Sequence, residues 1–131
     1  MSSRFAAAVP EIPVEDVDGA CEYYQSRLGF AQDWRDQDGG LAGISRGDCR
    51  LFLADAAFRA GYGNVGPVLI WINVFSKQEV IALFEEWKSG GAGMVSEPED
   101  KPWNLREFTA KDLDGNLLRV FYDFTRDGTQ G

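Results

Sequence analysis

The feature that most constrains the fold is an order of one helix and several strands that occurs twice along the chain. Each half reads as a strand, a helix and three further strands. The helix N-caps are Asp16 in the first half and Ser76 in the second, so equivalent points lie 60 residues apart. Near-equal halves with the same order indicate an internal duplication. Since neither half could bury a sheet face alone, we expect the two to pack together.

The first half begins with a predicted strand that Pro10 and Pro13 interrupt. A helix follows Asp16 and ends at Gly29, a residue type that is common just after a helix. The apolar side of this helix comprises Val17, Ala20, Cys21, Tyr24 and Leu28. The predicted strands of this half are 5–14, 30–36, 41–46 and 49–55.

The second half contains a capping box, Ser76 and Glu79, that predicts the start of a second helix. The apolar side of this helix comprises Val80, Leu83, Phe84 and Trp87. The predicted strands of this half are 68–74, 94–96, 105–111 and 117–124. A glycine-rich stretch joins the halves, so we expect a single domain with a first module at 4–56, a linker at 57–66 and a second module at 67–126.

The chain has no histidine, which excludes several kinds of chemistry. Metal sites built from two histidines and a carboxylate are excluded, and so are Ser–His and Cys–His nucleophile pairs. A metal site made only of carboxylates stays open. The two cysteines, Cys21 and Cys49, read as reduced packing residues, and no signal sequence or long apolar run is present. These features predict a cytoplasmic protein without membrane contact.

The charge of the chain is acidic, with 13 basic and 21 acidic residues and a net charge of −8. No basic stripe is present, so we expect no nucleic-acid partner. An acidic surface suits a cationic small molecule, although acidity that merely keeps a protein soluble would look the same.

Two segments resemble signatures of the vicinal oxygen chelate superfamily, and together they extend the resemblance over nearly the whole chain. "VEDVDGACEYYQSRLGF" is similar to its opening helix signature, and "PWNLREFTAKDLDGNLLRV" resembles the closing signature of its bleomycin-resistance-type members. In the closing segment Asn104 stands where glycine is usual, and Leu113 stands where proline is usual. The resemblance implies an α+β fold of two paired βαβββ modules, which form a curled mixed sheet around a cleft.

The resemblance also implies a homodimer, often with strands exchanged between the partners, and two ligand clefts at the dimer interface. Matching the metal enzymes of the superfamily residue by residue places their four ligand positions at Val9, Phe52, Leu69 and Arg119. None of these side chains binds a metal, and Arg119 carries a positive charge. We therefore expect no metal and no cofactor.

The candidate ligand-binding residues lie on strands and beside the last hairpin. Alternate residues of a strand share a face, which places Trp71 and Asn73 on one mixed face and Arg119 and Phe121 on another. We expect these faces to line the cleft, although Trp71 and Phe121 could instead fill the sheet interior. If Arg119 is buried, it needs a partner, which is either Glu107 or an anionic group of a ligand.

The remaining candidates come from the resemblance. In drug-binding relatives, the tryptophan that matches Trp103 stacks on a planar part of the drug, whereas the alternative for Trp103 is to cover a hairpin edge. Trp34 and Leu41 occupy strand positions where relatives often carry residues near the ligand.

The leading hypothesis is non-catalytic binding and sequestration of a planar, cationic antibiotic of the bleomycin type. Two alternatives stay open. One is a glyoxalase- or dioxygenase-like metal enzyme with an unusual carboxylate site, and the other is a binding module for another aromatic small molecule. The expected partners are therefore a small-molecule ligand and a second copy of the chain.

Overall fold

The computed structural model describes residues 3–63, 66–125 and 127, which form an α+β fold with two mixed sheets. The strands are β1 (Glu11–Pro13), β2 (Ala31–Asp36), β3 (Leu41–Arg46), β4 (Cys49–Ala54), β5 (Leu69–Asn73), β6 (Gly93–Met94), β7 (Glu99–Asp100), β8 (Leu105–Lys111) and β9 (Leu117–Asp123). The helices are α1 (Val17–Leu28), α2 (Ala56–Arg59) and α3 (Lys77–Ser89). None of the helices in the described ranges is long and apolar enough to cross a membrane.

Helix α1 begins and ends at the predicted residues. The Asp16 carboxylate accepts a hydrogen bond from the Gly19 backbone N–H at 3.2 Å, which satisfies one free donor of the first turn. Gly29 ends the helix in the left-handed conformation with φ 76°. All five residues of the predicted apolar side are buried: Val17, Ala20, Cys21, Tyr24 and Leu28.

Helix α3 begins with the predicted capping box. The Ser76 hydroxyl accepts from the Glu79 backbone N–H at 3.1 Å, and the Glu79 carboxylate accepts from the Phe75 N–H at 2.9 Å. Of the predicted apolar residues, Val80, Phe84 and Trp87 are buried and Leu83 is half-buried.

The two sheets have the same architecture. The first sheet has the order β1-β4-β3-β2 and the second has the order β5-β9-β8-β6, with β7 also pairing with β8. In each sheet the strand before the long helix runs parallel to the last strand of its half, and the remaining pairs are antiparallel. This repetition agrees with the duplication that the sequence predicts.

Three segments differ from the prediction. The expected strand 5–14 is reduced to β1, because Pro10 and Pro13 lack the N–H donors that a longer ladder needs. The expected strand 94–96 is replaced by two short strands, β6 and β7. A short helix, α2, which the Asp55 side chain caps, begins at the last residue of the predicted first module and extends into the predicted linker. Residues 64, 65 and 126 of the predicted linker and second module lie outside the described residues.

Both modules contribute to one core. It contains the inner sides of the two helices and the inner faces of the two sheets: Ile12, Ile44, Leu51 and Leu53 from the first sheet, and Phe108, Ala110, Leu118 and Val120 from the second. Because the inner faces of both sheets meet the helices in this core, their opposite faces point away from it on two separate sides of the chain.

A buried polar cluster joins the modules at the turn between β8 and β9. The Asn116 amide donates to the Pro13 carbonyl at 2.8 Å and to Asp112 at 2.9 Å, and it accepts from the Val68 N–H at 2.9 Å. The Tyr24 hydroxyl also donates a hydrogen bond to the Asp112 carboxylate, at 2.8 Å. We call Tyr24, Asp112 and Asn116 the inter-module clamp.

The Tyr24 hydroxyl of the clamp keeps its proton. Burial, followed by the neighbouring Asp112 carboxylate, raises the pKa of Tyr24 well above its ordinary value. Tyr24 therefore stays a hydrogen-bond donor at neutral pH, and the carboxylate receives it as an acceptor.

The substitution Asn116→Ala should lower the free energy of unfolding by about 3 kcal/mol. It leaves the Pro13 carbonyl and the Val68 N–H without this partner, and buried groups left without partners cost roughly 1–3 kcal/mol each. Urea denaturation followed by circular dichroism measures the change. Asn73→Ala is the matched control, because Asn73 is exposed, and it should change stability by less than about 0.5 kcal/mol. Equal small effects in both variants would show that the clamp does not hold the modules together.

Candidate functional site

The outer face of the second sheet brings together most of the predicted site residues. Trp71 on β5 lies beside Arg119 on β9, and Asn73 lies beside Phe121 in the next row of the ladder. The Trp71 and Phe121 rings meet edge to face, with centroids 5.5 Å apart. Trp71 is half exposed, so these rings do not fill the sheet interior.

Trp103 lies in the turn before β8 and belongs to the same face. Its indole N–H donates to the Glu107 carboxylate at 3.1 Å, while the residue as a whole is 59% exposed. Glu107 is buried, so the carboxylate fixes the tryptophan from below and leaves the ring open to solvent. We call Trp71, Trp103, Arg119 and Phe121 the aromatic face.

Arg119 is held by two contacts at its inner edge. Its Nε donates to the Thr109 hydroxyl at 3.0 Å, and the same nitrogen lies 3.8 Å from a Glu107 oxygen. The guanidinium carbon lies 5.1 Å from the centroid of the Trp71 ring. The predicted partner, Glu107, is therefore the looser contact, and the sequence analysis missed Thr109, which stands directly opposite Arg119 in the β8–β9 ladder.

The other predicted residues, Trp34 and Leu41, lie on the first sheet. The Trp34 indole lies over Gly43, which has no side chain and so leaves room for the ring. A Cβ atom on residue 43 would lie 2.4 Å from the indole nitrogen. The Trp34 and Phe52 rings are 5.2 Å apart, which makes Phe52 part of this surface. Leu41 is half-buried two residues along β3 from Gly43. One chain therefore carries two aromatic surfaces on separate sheets.

A cavity of about 340 Å³ between the modules escaped the sequence analysis. Phe30 and Trp87 line it together with Cys49, and Asn73 is the predicted site residue that reaches it. No local sequence signal marks this cavity, because the residues that line it come from both halves and meet only through the shared core.

The cysteines are poor nucleophiles in this arrangement. Burial raises the pKa of the Cys21 thiol and of the Cys49 thiol above the ordinary value, which keeps both protonated at neutral pH. In residues 3–63, 66–125 and 127, no three or more Cys, Asp or Glu side chains are grouped so that they could hold a metal ion.

A family profile described as Glyoxalase/Bleomycin resistance protein/Dioxygenase superfamily matches residues 5–120. The chain belongs to this superfamily. The family predicted from the two end motifs is thereby confirmed, and so is the glyoxalase/bleomycin resistance fold, in the form of two mixed sheets without a closed barrel. No functionally curated protein matches the chain at a significant level.

Solved members of the superfamily include both binding proteins and enzymes. A bleomycin-binding protein from bleomycin-producing Streptomyces verticillus, complexed with copper(II)-bleomycin, is 28% identical, with 91% of this chain and 97% of that chain covered and a TM-score of 0.68. A bleomycin-binding protein complexed with bleomycin is 24% identical, with 90% and 98% covered and a TM-score of 0.70. The lactoylglutathione lyase from Agrobacterium tumefaciens is 17% identical, with 92% and 96% covered and a TM-score of 0.75. The fold alone therefore does not show whether a protein of this superfamily is a binding protein or an enzyme.

The unusual Asn104 of the superfamily motif has a conformational explanation. Its backbone is left-handed, with φ 67°, in the turn that presents Trp103. Glycine adopts this conformation without a steric cost, and asparagine tolerates it better than most residues. The departure from the motif therefore preserves the turn.

Asn104→Gly should leave the free energy of unfolding within about 0.5 kcal/mol of the original chain. Asn104→Val should lower it by roughly 1–2 kcal/mol, because a β-branched residue opposes a left-handed backbone. Urea denaturation of the two variants gives the comparison. A valine variant as stable as the glycine variant would mean that the turn accepts another conformation.

Proposed function

We propose that this protein binds and sequesters a planar antibiotic of the bleomycin type without changing it chemically. The single observation that carries the proposal is Trp103, whose ring is exposed while a buried carboxylate fixes its nitrogen. A side chain held in place before binding loses little conformational freedom when a ligand stacks on it. Trp71 and Phe121 extend the same face with further aromatic surface.

The relatives support the drug class. The Streptomyces verticillus protein that holds copper(II)-bleomycin shares 28% identity over 91% of this chain. The net charge of −8 favours the approach of a cationic drug. That the drug is cationic stays a prediction from the sequence. Another aromatic small molecule would use the same stacking surface.

The chemistry of the side chains favours binding over catalysis. The positions that match the metal ligands of the superfamily enzymes carry Val9, Phe52, Leu69 and Arg119, which supply no metal-binding group. The lactoylglutathione lyase shares the fold, so an enzyme with a carboxylate metal site is the alternative. Stoichiometric Ni, Zn, Fe or Mn in protein purified without chelator would favour that alternative over the proposal.

We further propose a homodimer in which the N-terminal segment is exchanged between copies, in the cytoplasm. Residues 3–9 form no strand, and Phe5 is 96% exposed. The surface around Trp34 and the aromatic face lie on different sheets, and in a dimer the surface of one chain could pair with the aromatic face of the other to form a cleft. The two free cysteines suit a reducing compartment.

Trp103→Ala should weaken bleomycin binding about tenfold, because lost stacking costs about 0.5–1.5 kcal/mol beyond the lost burial and 1.4 kcal/mol is tenfold. Trp103→Phe should retain part of the affinity, since it keeps an aromatic ring. Isothermal titration calorimetry measures all variants with one drug preparation.

Leu113→Ala is the control for this series. Leu113 is 63% exposed, much as Trp103 is, but it lies in the turn between β8 and β9. It should leave the affinity unchanged. If the original protein releases no heat with bleomycin at micromolar concentrations and shows no thermal stabilisation, the drug assignment fails.

Light scattering coupled to size-exclusion chromatography should give twice the 14.5 kDa mass of the chain. Phe5→Asp should shift the protein toward the single-chain mass, because a charge would have to enter the apolar contact. Removal of residues 1–9 should act in the same direction. A single-chain mass for the original protein at high concentration would contradict the dimer.

A further inference from the structure

We propose that the aromatic face selects planar ligands that carry an acidic oxygen group, which binds the outer edge of the Arg119 guanidinium while the ring packs on Trp71. The inference rests on the proposed function in one respect, the binding of a planar ligand at the aromatic face, and it assigns that ligand an acidic group in place of the cationic character that the net charge favours.

The first support is the hydrogen bonding of Arg119. A guanidinium has five N–H donors, and among residues 3–63, 66–125 and 127 the one hydrogen bond of Arg119 runs from Nε to the Thr109 hydroxyl at 3.0 Å. The contact with Glu107, at 3.8 Å, goes to the same nitrogen. Within the described residues no fully buried side-chain nitrogen or oxygen lacks a partner, so the two terminal nitrogens of Arg119 keep some contact with solvent. They form a planar fork that matches a carboxylate.

The second support is the position of the charges. The Glu107 side chain is 7% exposed and the Arg119 side chain is 30% exposed, so the anion lies below the surface and the cation lies at it. One oxygen of Glu107 is also occupied by the Trp103 N–H. A ligand that reaches this face therefore meets the guanidinium first. Of the two opposite charges, the more exposed one is therefore the cation, although the net charge of the chain is −8.

The third support is that Arg119 differs from the other cation near this face. Lys101 lies 6.0 Å from the centroid of the Trp103 ring, but its ammonium is paired with Glu99 at 2.9 Å. In the described part of the chain, Glu107 is the carboxylate that approaches Arg119, and at 3.8 Å it lies beyond hydrogen-bond distance. The cation that can accept a new anionic partner is thus the one that stands beside Trp71.

Net charge and local charge act at different distances. Exposed charges are screened beyond about 8 Å at physiological ionic strength, so the acidic surface affects how a ligand approaches more than how it binds. Contact is decided by the groups that the ligand touches, which here are two aromatic rings and a guanidinium. The cationic class that the net charge favours and the acidic class that Arg119 favours can be separated by experiment.

The test uses three compounds with the same planar ring: 2-naphthoate, 2-naphthamide and 2-naphthylmethylammonium. Calorimetry on the original protein should show that naphthoate binds about tenfold more tightly than either of the other two. Arg119→Gln should abolish this preference, and Arg119→Lys should keep part of it, because lysine retains the charge without the fork. Circular dichroism checks that both variants are folded.

Lys77→Gln is the matched control. Lys77 also lies over an aromatic ring, 3.9 Å from the centroid of Phe124, but it is paired with Asp100. This variant should keep the full preference for naphthoate. Loss of the preference here would mean that overall charge, rather than Arg119, selects the acid, and would overturn the inference.

The remaining outcomes distinguish the inference from the proposed function. If the three compounds bind equally, or the ammonium compound binds best, the acidic ligand class is wrong while binding at the aromatic face stands. If none of them binds, the inference is also overturned, and the bleomycin titration decides separately on the proposed function. The preference in the original protein needs no variant, so a misfolded variant does not leave the inference undecided.

Discussion

The rest of the structure depends on the hydrogen bonds of one buried amide. Asn116 reaches the Pro13 carbonyl, which is 103 residues away in the sequence, and it also receives the N–H of Val68 before β5. The side chain thus ties the end of the first strand of one module to the start of the first strand of the other. Because this contact fixes the inner faces of both sheets against one core, it also determines which faces remain outside. Burial of the aliphatic faces in the shared core leaves the aromatic face outside, and the clamp holds the two modules together around that core.

Local sequence signals predicted much of this fold because they act within a few residues. The helix caps Asp16 and Ser76 bind backbone groups three residues further along the chain, and Gly29 ends its helix through its own left-handed conformation. The helices therefore lie where the sequence pattern predicts them. The short strands β6 and β7 have no such signal. Each is held by two residue pairs with β8, and their existence depends on a neighbouring strand rather than on their own composition.

The alternation of side chains along a strand predicts only part of the candidate site. Alternation correctly placed Trp71 and Arg119 on the outer sides of their strands, and parallel pairing then makes them neighbours. The pairing of Thr109 with Arg119 follows from the hairpin register and could have been read from it. Alternation cannot say which sheet faces meet, however, so it did not show that Trp34 lies on a different surface from Trp71. The bond between Trp103 and Glu107 depends on a turn geometry that no periodicity encodes.

The charge of the side chain at position 119 determines whether the outer face of β9 attracts a metal ion or an acidic group. The superfamily resemblance matches Arg119 to a metal-ligand position, and a carboxylate there would attract a cation to the outer face of β9. A guanidinium at the same position repels a metal ion and attracts an acidic group, and the Thr109 hydroxyl and the Trp71 ring hold it in place. The buried Glu107 stabilises that arrangement without presenting its own charge to a ligand. An arginine at this position therefore does more than fail to supply a metal ligand, because it places a fixed cation beside an exposed aromatic ring.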